Sequence, residues 1–267
     1  MRDIFRQILV ILGTIAVIVV NALATILPLN GQTTGEISDR FDVYFVPAGY
    51  VFSIWGLIYL ALIAYSIYQA LPSQRDNPRL RRIGYLYVLS CLANIAWIFL
   101  WHWEYFALTL VAMVVLLLLL IAIYLLLGTG RLRVRGSETW LVRVPFSIYL
   151  GWITVATIAN VTSLLEYLGW DGWGVSAVAW AVIMLVVAMI VASLVSLTRG
   201  DVAYVAVIVW SFAGIAIKHS ATQAVAITAW VTAGIVVLTL LIGAPLARAR
   251  MKEQMLPSEL EGVRDRW

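Results

Sequence analysis

The chain is dominated by long, uninterrupted runs of apolar residues, and these constrain its fold more than any other feature. Each of eight runs is close to the roughly 20 residues that a helix needs to cross the hydrocarbon core of a bilayer. Lipid offers no hydrogen-bond partners to an open backbone, so apolar segments of this length cross membranes as helices. The sequence therefore predicts an all-α integral membrane protein with about eight transmembrane helices. The predicted spans are residues 7–28, 48–71, 84–102, 106–128, 144–166, 174–197, 202–219 and 224–246.

The composition supports this prediction. Hydrophobic residues make up 63% of the chain and charged residues only 12%, whereas a soluble domain carries about 25% charged residues. The first apolar run is longer than the roughly 7–15 residues of a signal-peptide core. We therefore interpret it as a retained first helix.

The distribution of basic residues predicts the orientation. With the N-terminus in the cytoplasm, 16 of the 18 Lys and Arg residues fall on the cytoplasmic side, and only Arg40 and Lys218 fall outside. This is the asymmetry of the positive-inside rule. Both termini are thus predicted to be cytoplasmic, and a bacterial inner membrane is the expected location. Because the basic residues lie in short clusters between apolar runs, the partner predicted for this surface is membrane lipid and not nucleic acid.

The sequence lacks the residues that several classes of membrane protein and enzyme require. The interiors of the predicted spans contain no Asp or Glu, although proton-coupled pumps and many ion-coupled transporters use intramembrane carboxylates. No nucleotide-binding loop or catalytic triad is recognisable. His102 and His219 lie far apart, and Cys91 is the only cysteine, so neither a metal site nor an intramolecular disulfide is predicted. No cofactor and no catalytic residue is predicted.

Aromatic residues are the most distinctive side chains, with 12 Trp in the chain. Some, such as Trp103, Trp170 and Trp173, are expected at the outer membrane surface, where amphipathic rings prefer to lie. Others form stripes on the faces of three spans and share the outer half of the bilayer. Such stripes predict either a pocket for a flat apolar ligand or helix packing with Asn as hydrogen-bonding glue. The stripes are Phe52, Trp55 and Tyr59; Asn94, Trp97 and Trp101; and Trp152, Ala156 and Asn160.

The same segments resemble a known family. Residues 47–59 read PAGYVFSIWGLIY, residues 94–97 read NIAW, residues 149–152 read YLGW and residues 156–160 read ATIAN. In this order and on these spans, the motifs resemble the tryptophan-rich sensory protein family, TspO, which includes the peripheral benzodiazepine receptor. Tyr50 stands where the family usually has Trp, and Pro145 lies about one turn earlier than the usual fifth-helix proline.

The resemblance implies an organisation and a function. Residues 1–167 would form a TspO-like five-helix bundle, residues 168–247 three additional transmembrane helices, and residues 248–267 a charged cytoplasmic tail. The bundle would hold a porphyrin-like or sterol-like molecule beneath the loop from Asn30 to Pro47, and the protein would act as a membrane binding protein or sensor. The residues implied to bind the ligand are Tyr50, Phe52, Trp55, Tyr59, Asn94, Trp97, Trp101, Trp152 and Asn160.

Other functions stay open at this point. Eight spans with an outer loop also suit a small-molecule transporter, although no internal repeat is visible. The last three spans are alternatively a scaffold that docks a partner protein, and a homodimer is a further association to consider. Light-dependent porphyrin breakdown is implied by the resemblance alone.

Overall fold

The computed structural model describes residues 2–27 and 29–253, which contain helices and turns but no strand. The predicted all-α membrane bundle is confirmed. Single 3-10 turns lie at Leu29–Gly31, Gly49–Ser53, Pro72–Gln74 and Gly172–Gly174, and a π-helical turn at Thr139–Arg143 leads into α7. The α-helices are α1 (Arg2–Ile26), α2 (Thr34–Asp39), α3 (Ile54–Ala70), α4 (Pro78–His102), α5 (Phe106–Leu126), α6 (Gly136–Glu138), α7 (Val144–Tyr167), α8 (Ala177–Arg199), α9 (Val202–Lys218) and α10 (Gln223–Glu253).

Short connections with defined caps separate the long helices. The Asn77 side chain accepts a hydrogen bond from a first-turn N–H of α4, and Pro78 occupies the first turn, where its missing N–H costs nothing. The chain leaves α8 through Gly200, whose φ of 61° is readily adopted only by glycine. Asp201 follows at once and caps α9. These two turns are too short to cross a membrane, so α3 and α4 run antiparallel, as do α8 and α9.

Seven of the described helices are long and apolar enough to cross a membrane. The remaining predicted span, α9, has 17 residues, or about 26 Å at 1.5 Å per residue. Its two ends nevertheless reach opposite ends of the bundle. Asp201 accepts a hydrogen bond from Ser147 near the start of α7, whereas Lys218 approaches Asp39 in the loop between α1 and α3. The helix therefore runs the full height of the bundle, in agreement with the predicted eight crossings.

Five helices close into a ring. Helix α1 packs against α3 and α4, α5 packs against α4 and α7, and α3 contacts α7. Aromatic side chains fill the middle of the ring, and the rings of Tyr65, Tyr87 and Phe146 lie edge to face with centroids 4.9–5.6 Å apart. Every helix of this ring comes from residues 2–167.

The three remaining helices form a second layer. Helix α9 packs on α7, and α10 covers α8 and α9. A Cβ at Gly151 of α7 would lie only 3.0 Å from the Tyr204 carbonyl oxygen, and a Cβ at Gly243 of α10 would collide with the backbone of Ser196 in α8. Glycines at these two positions therefore allow close contact between helix backbones, as is common between helices in membranes.

Basic residues cluster at one end of the bundle, which we call the arginine end. Arg79 forms a bidentate ion pair with Glu138, at 2.5 and 2.9 Å, and Arg81 pairs with Asp3 at 2.8 Å. Arg143 is buried and donates to carbonyl groups of the α5–α6 segment. The opposite end carries residues 29–48, which we call the lid, and is the loop end.

Helix α10 continues into the segment that was predicted as a charged tail. The charged segment was predicted from residue 248, but α10 continues through Pro245 to Glu253. Basic side chains in its last turn, Arg250 and Lys252, favour this extension because cations stabilise the C-terminal end of a helix. Residues 254–267 lie outside the described part of the chain.

Candidate ligand-binding site

A cavity of about 70 Å³ lies inside the five-helix ring, directly beneath the lid. Helices α3, α4, α5 and α7 form its wall, and lid residues form its roof. The lining residues are Thr34, Ser38, Val46, Pro47, Phe52, Trp55, Trp97, Trp101, Met113, Trp152, Val155, Ala156, Ala159, Asn160 and Ser163.

Aromatic rings pack around this cavity in two groups. Trp152 of α7 lies edge to face with Phe52 at 5.5 Å and with Trp55 at 6.0 Å between ring centroids. On α4, Trp97 and Trp101 stack at 5.4 Å with nearly parallel planes. Ring faces and ring edges are therefore both presented to the interior, an arrangement that suits a flat π-system.

Two indole groups of the cavity wall have no hydrogen-bond acceptor. The Nε1 atoms of Trp97 and Trp152 are both buried, and neither has a partner among the described residues. An unpaired buried donor is energetically unfavourable, by about 1–3 kcal/mol. A ligand with acceptor atoms, such as a carbonyl, carboxylate or pyrrole nitrogen, would supply the missing partners.

The first half of the lid is attached to α4. Trp101 donates from Nε1 to the Thr34 carbonyl oxygen at 3.2 Å. The His102 ring contacts the Thr34 hydroxyl at 2.9 Å and the Leu29 carbonyl oxygen at 3.0 Å. Ile37 of α2 is completely buried against Trp101 and its neighbours. His102 thus has a structural role in holding the roof of the cavity.

The second half of the lid is attached to α9. The Ala48 N–H donates to the Gly214 carbonyl oxygen at 3.2 Å, and Trp210 donates from Nε1 to the Val51 carbonyl oxygen at 3.3 Å. A Cβ at Gly214 would collide with the Val51 side chain, so α9 and the lid are in close contact there. One of the additional helices therefore fixes the segment that leads from the lid into the aromatic stripe of α3.

The structure brings six of the nine predicted site residues to the cavity. These are Phe52, Trp55, Trp97, Trp101, Trp152 and Asn160.

The other three predicted residues lie elsewhere. Tyr50 points away from the cavity and packs on Trp210 of α9, at 5.3 Å between ring centroids. The segment around Tyr50 is a 3-10 helix, whose three residues per turn change the face that a residue presents. Tyr59 lies deeper and stacks on Trp55. Asn94 is hydrogen-bonded to two other helices and does not line the cavity.

The Asn94 pairing links three helices. Asn21 of α1 donates to the Asn94 side-chain oxygen at 2.8 Å, and Asn94 donates to the Tyr149 hydroxyl of α7 at 3.1 Å. This is the hydrogen-bonding glue that the alternative interpretation of the stripes predicts. Asn160 combines the two predicted roles. It lines the cavity, and its side chain donates a hydrogen bond to the Thr109 hydroxyl of α5 at 3.1 Å.

Sequence patterns missed the small and apolar lining residues. Val155, Ala159 and Ser163 of α7 line the cavity beside Trp152 and Asn160. Extension of the Trp152 stripe by helical spacing would have reached Ala159 and Ser163, at i+7 and i+11. The family resemblance implied the loop above the cavity, but no sequence pattern indicated which lid residues line it or that Met113 does, because these depend on which elements meet in three dimensions.

The cavity is nearly uncharged. Its lining contains no carboxylate, Lys, Arg, His or Cys, and its polar groups are hydroxyls, indole N–H groups and the Asn160 amide. Ionisable groups lie around the rim. Hydrogen bonds from Thr33 hold the pKa of Glu36 below its usual value. Burial lowers the pKa of His219, which follows α9 and lies 5.2 Å from the Tyr44 ring.

Comparison with known proteins agrees with this architecture. A family model described as TSPO-like protein matches residues 7–242. No curated protein and no solved structure matches the chain. The matched range extends beyond the five helices that carry the sequence motifs and includes α8, α9 and most of α10. The chain belongs to the TSPO-like protein family.

Proposed function

We propose that the protein is a membrane binding protein or sensor for a flat, hydrophobic ligand of the porphyrin or related tetrapyrrole class. The observation that carries this proposal is the convergence of four tryptophans on one cavity, two of them with unpaired N–H groups. Trp55, Trp97, Trp101 and Trp152 would stack on the ligand, and Trp97 and Trp152 would donate to its acceptor atoms. Membership of the TSPO-like family supports the general role.

Binding requires the cavity to expand. Pockets for small molecules usually have volumes of about 300–1,000 Å³, whereas this cavity measures about 70 Å³. The lid and the tryptophan side chains are the groups that would have to move. We therefore propose that the structure is the closed form, and that a ligand enters only when some of the lid contacts open.

The test is a titration of the detergent-purified protein with protoporphyrin IX, followed by porphyrin absorbance and by quenching of Trp fluorescence. The Trp55→Leu and Trp97→Leu variants should each bind at least about tenfold more weakly, because each loses the face of an aromatic ring. Trp230→Leu is the matched control, since Trp230 lies on α10 and is 53% exposed. Equal quenching of all four proteins, without saturation, would refute the pocket.

A second variant separates hydrogen bonding from stacking. Trp152→Phe keeps an aromatic ring and removes the unpaired N–H. A hydrogen bond contributes about 0.5–1.5 kcal/mol, so we expect affinity to fall by about two- to tenfold while thermal stability is maintained. Unchanged affinity in this variant would exclude Trp152 as a hydrogen-bond donor to the ligand.

We also propose an orientation, with the arginine end and both termini in the cytoplasm of a bacterial cell. The support is the clustering of basic residues at that end. The native Cys91 is buried, so an introduced cysteine can be labelled selectively with a membrane-impermeant maleimide in intact cells. Asp171→Cys should react and Asp76→Cys should not, and the reverse pattern would invert the proposed orientation.

A further inference from the structure

A second and larger cavity lies at the loop end, outside the five-helix ring. Its volume is about 530 Å³, within the range of small-molecule pockets. Three elements line it: lid residues 42–45, the end of α7, and the segment from Trp170 into the start of α8. None of its lining residues belongs to the lining of the tryptophan cavity beneath the lid.

Two tryptophans form an aromatic wall in this second cavity. Trp170 and Trp180 both line it, with ring centroids 5.1 Å apart. Trp180 donates from its indole N–H to the Gly172 carbonyl oxygen at 2.9 Å, so its edge is fixed and already paired. Trp173 packs behind both rings and is 77% exposed. Trp173 thus fits the predicted location at the outer membrane surface, while Trp170 and Trp180 line the cavity.

Carboxylates line the same cavity without cationic partners. Asp42, Glu166 and Asp171 all belong to its lining, and no Lys or Arg of the described residues forms an ion pair with them. The lid is tied to the site because the Asp42 N–H donates to the Glu166 carboxylate at 2.9 Å.

Neighbouring cations are already engaged. Arg40 pairs with Glu104 at 2.9 Å, and Lys218 approaches Asp39 at 3.7 Å. His219 interacts electrostatically with Asp42, and burial lowers the pKa of its imidazole. The cavity therefore combines ring faces with carboxylates that form no ion pair with a Lys or Arg of the described residues.

We propose that this cavity is a binding site for lipophilic organic cations. An aromatic wall recognises such a cation through apolar contact and the attraction of the ring faces for positive charge. Carboxylates at the rim add charge complementarity, which is strongest at low ionic strength. The ligand class differs from that of the tryptophan cavity, whose lining is uncharged, and the site depends on α8, which lies outside the five-helix ring.

A pair of probe ions of matched shape and opposite charge tests the proposal. The purified full-length protein in an uncharged maltoside detergent is titrated with tetraphenylphosphonium and with tetraphenylborate, with protein-free micelles as the blank. We expect saturable binding of the phosphonium, weakening as salt is raised, and no saturable binding of the borate. Equal binding of both ions would overturn the proposal, because tryptophans that only anchor the protein at the membrane surface would show no preference for charge.

Variants assign the binding to this cavity. The Glu166→Gln, Asp171→Asn double variant should bind the phosphonium about tenfold more weakly, the order expected for two partly screened charges. Asp76→Asn removes a carboxylate at the arginine end and should have no effect.

The tryptophan cavity provides the last comparison. Trp55→Leu should retain phosphonium binding even if it loses porphyrin binding, so failure of one site is distinguishable from failure of the other. Loss of phosphonium binding in Trp55→Leu, or full binding by the double variant, would overturn the assignment.

Discussion

Replacement of Gly214 with alanine tests how tightly α9 holds the lid. A Cβ at this position would collide with a methyl group of Val51 and lie 3.1 Å from the Pro47 Cβ. Val51 is completely buried, and a β-branched side chain has few alternative rotamers. The contact therefore cannot be relieved by a simple side-chain rotation, and either the lid or α9 has to shift.

The size of the effect follows from two opposing contributions. Overpacking in a close-packed interior costs about 1–3 kcal/mol, whereas Gly to Ala in a helix stabilises it by up to about 1 kcal/mol. Gly234→Ala in α10 isolates the second contribution, because nothing lies within 4 Å of its Cβ position. The two variants should thus differ by about 1–3 kcal/mol in unfolding free energy, with Gly214→Ala the less stable.

The assay is equilibrium unfolding in mixed micelles with increasing SDS, followed by Trp fluorescence. Limited proteolysis of the native protein should in addition cleave the lid faster in Gly214→Ala than in Gly234→Ala. An equal shift of the unfolding midpoint by both substitutions, with an unchanged proteolysis rate, would show that α9 does not hold the lid in the detergent-solubilised protein.

Three further predictions concern other residues. Asn94→Leu breaks hydrogen bonds that join α1, α4 and α7 and should destabilise by about 1 kcal/mol, yet leave porphyrin affinity unchanged in the same titration. Glu138→Gln disrupts a buried bidentate pair and should cost about 1–3 kcal/mol in SDS unfolding, whereas Glu104→Gln, in an exposed pair, should cost less than about 1 kcal/mol. Burial lowers the pKa of His219, so below about pH 6.5 the unfolded chain takes up a proton before the folded chain does and stability falls. His219→Gln should remove that decline between pH 7.5 and 5, and an identical decline in the variant would exclude His219 as its source.

Hydropathy located the spans well because lipid imposes a minimum length on every crossing. It failed where helices continue into water. The predicted third span began at residue 84, but α4 begins at Pro78, with Asn77 as its cap. The additional turns contain Arg79, Arg81 and Arg82, which a hydropathy window rejects, although Arg79 and Arg81 form ion pairs at the arginine end. The last predicted span ended at residue 246 for the same reason, although α10 continues to Glu253 with Arg250 and Lys252 in its last turn.

Helical spacing predicted part of the cavity. Residues three, four or seven apart share a face, which is why Trp97 and Trp101 reach the cavity together. Spacing does not say which neighbour that face meets. Asn94 shares the stripe of Trp97 but bonds to Asn21 instead, and the lid that roofs the cavity has no periodicity from which to predict its position.

The closed cavity and the anchored lid together determine how a ligand of porphyrin size would bind. Opening must break contacts from α4 to the first half of the lid and from α9 to the second half. Each 1.4 kcal/mol spent on opening weakens the observed affinity tenfold relative to an already open protein. The ligand recovers part of this cost through contacts that exist only when it is bound, including acceptors for the unpaired indole groups of Trp97 and Trp152. Helix α9 contributes to the free energy of opening through its contacts from Gly214 and Trp210, which lie outside the cavity lining. We therefore expect the additional helices to adjust ligand affinity through the opening equilibrium and not through contact with the ligand.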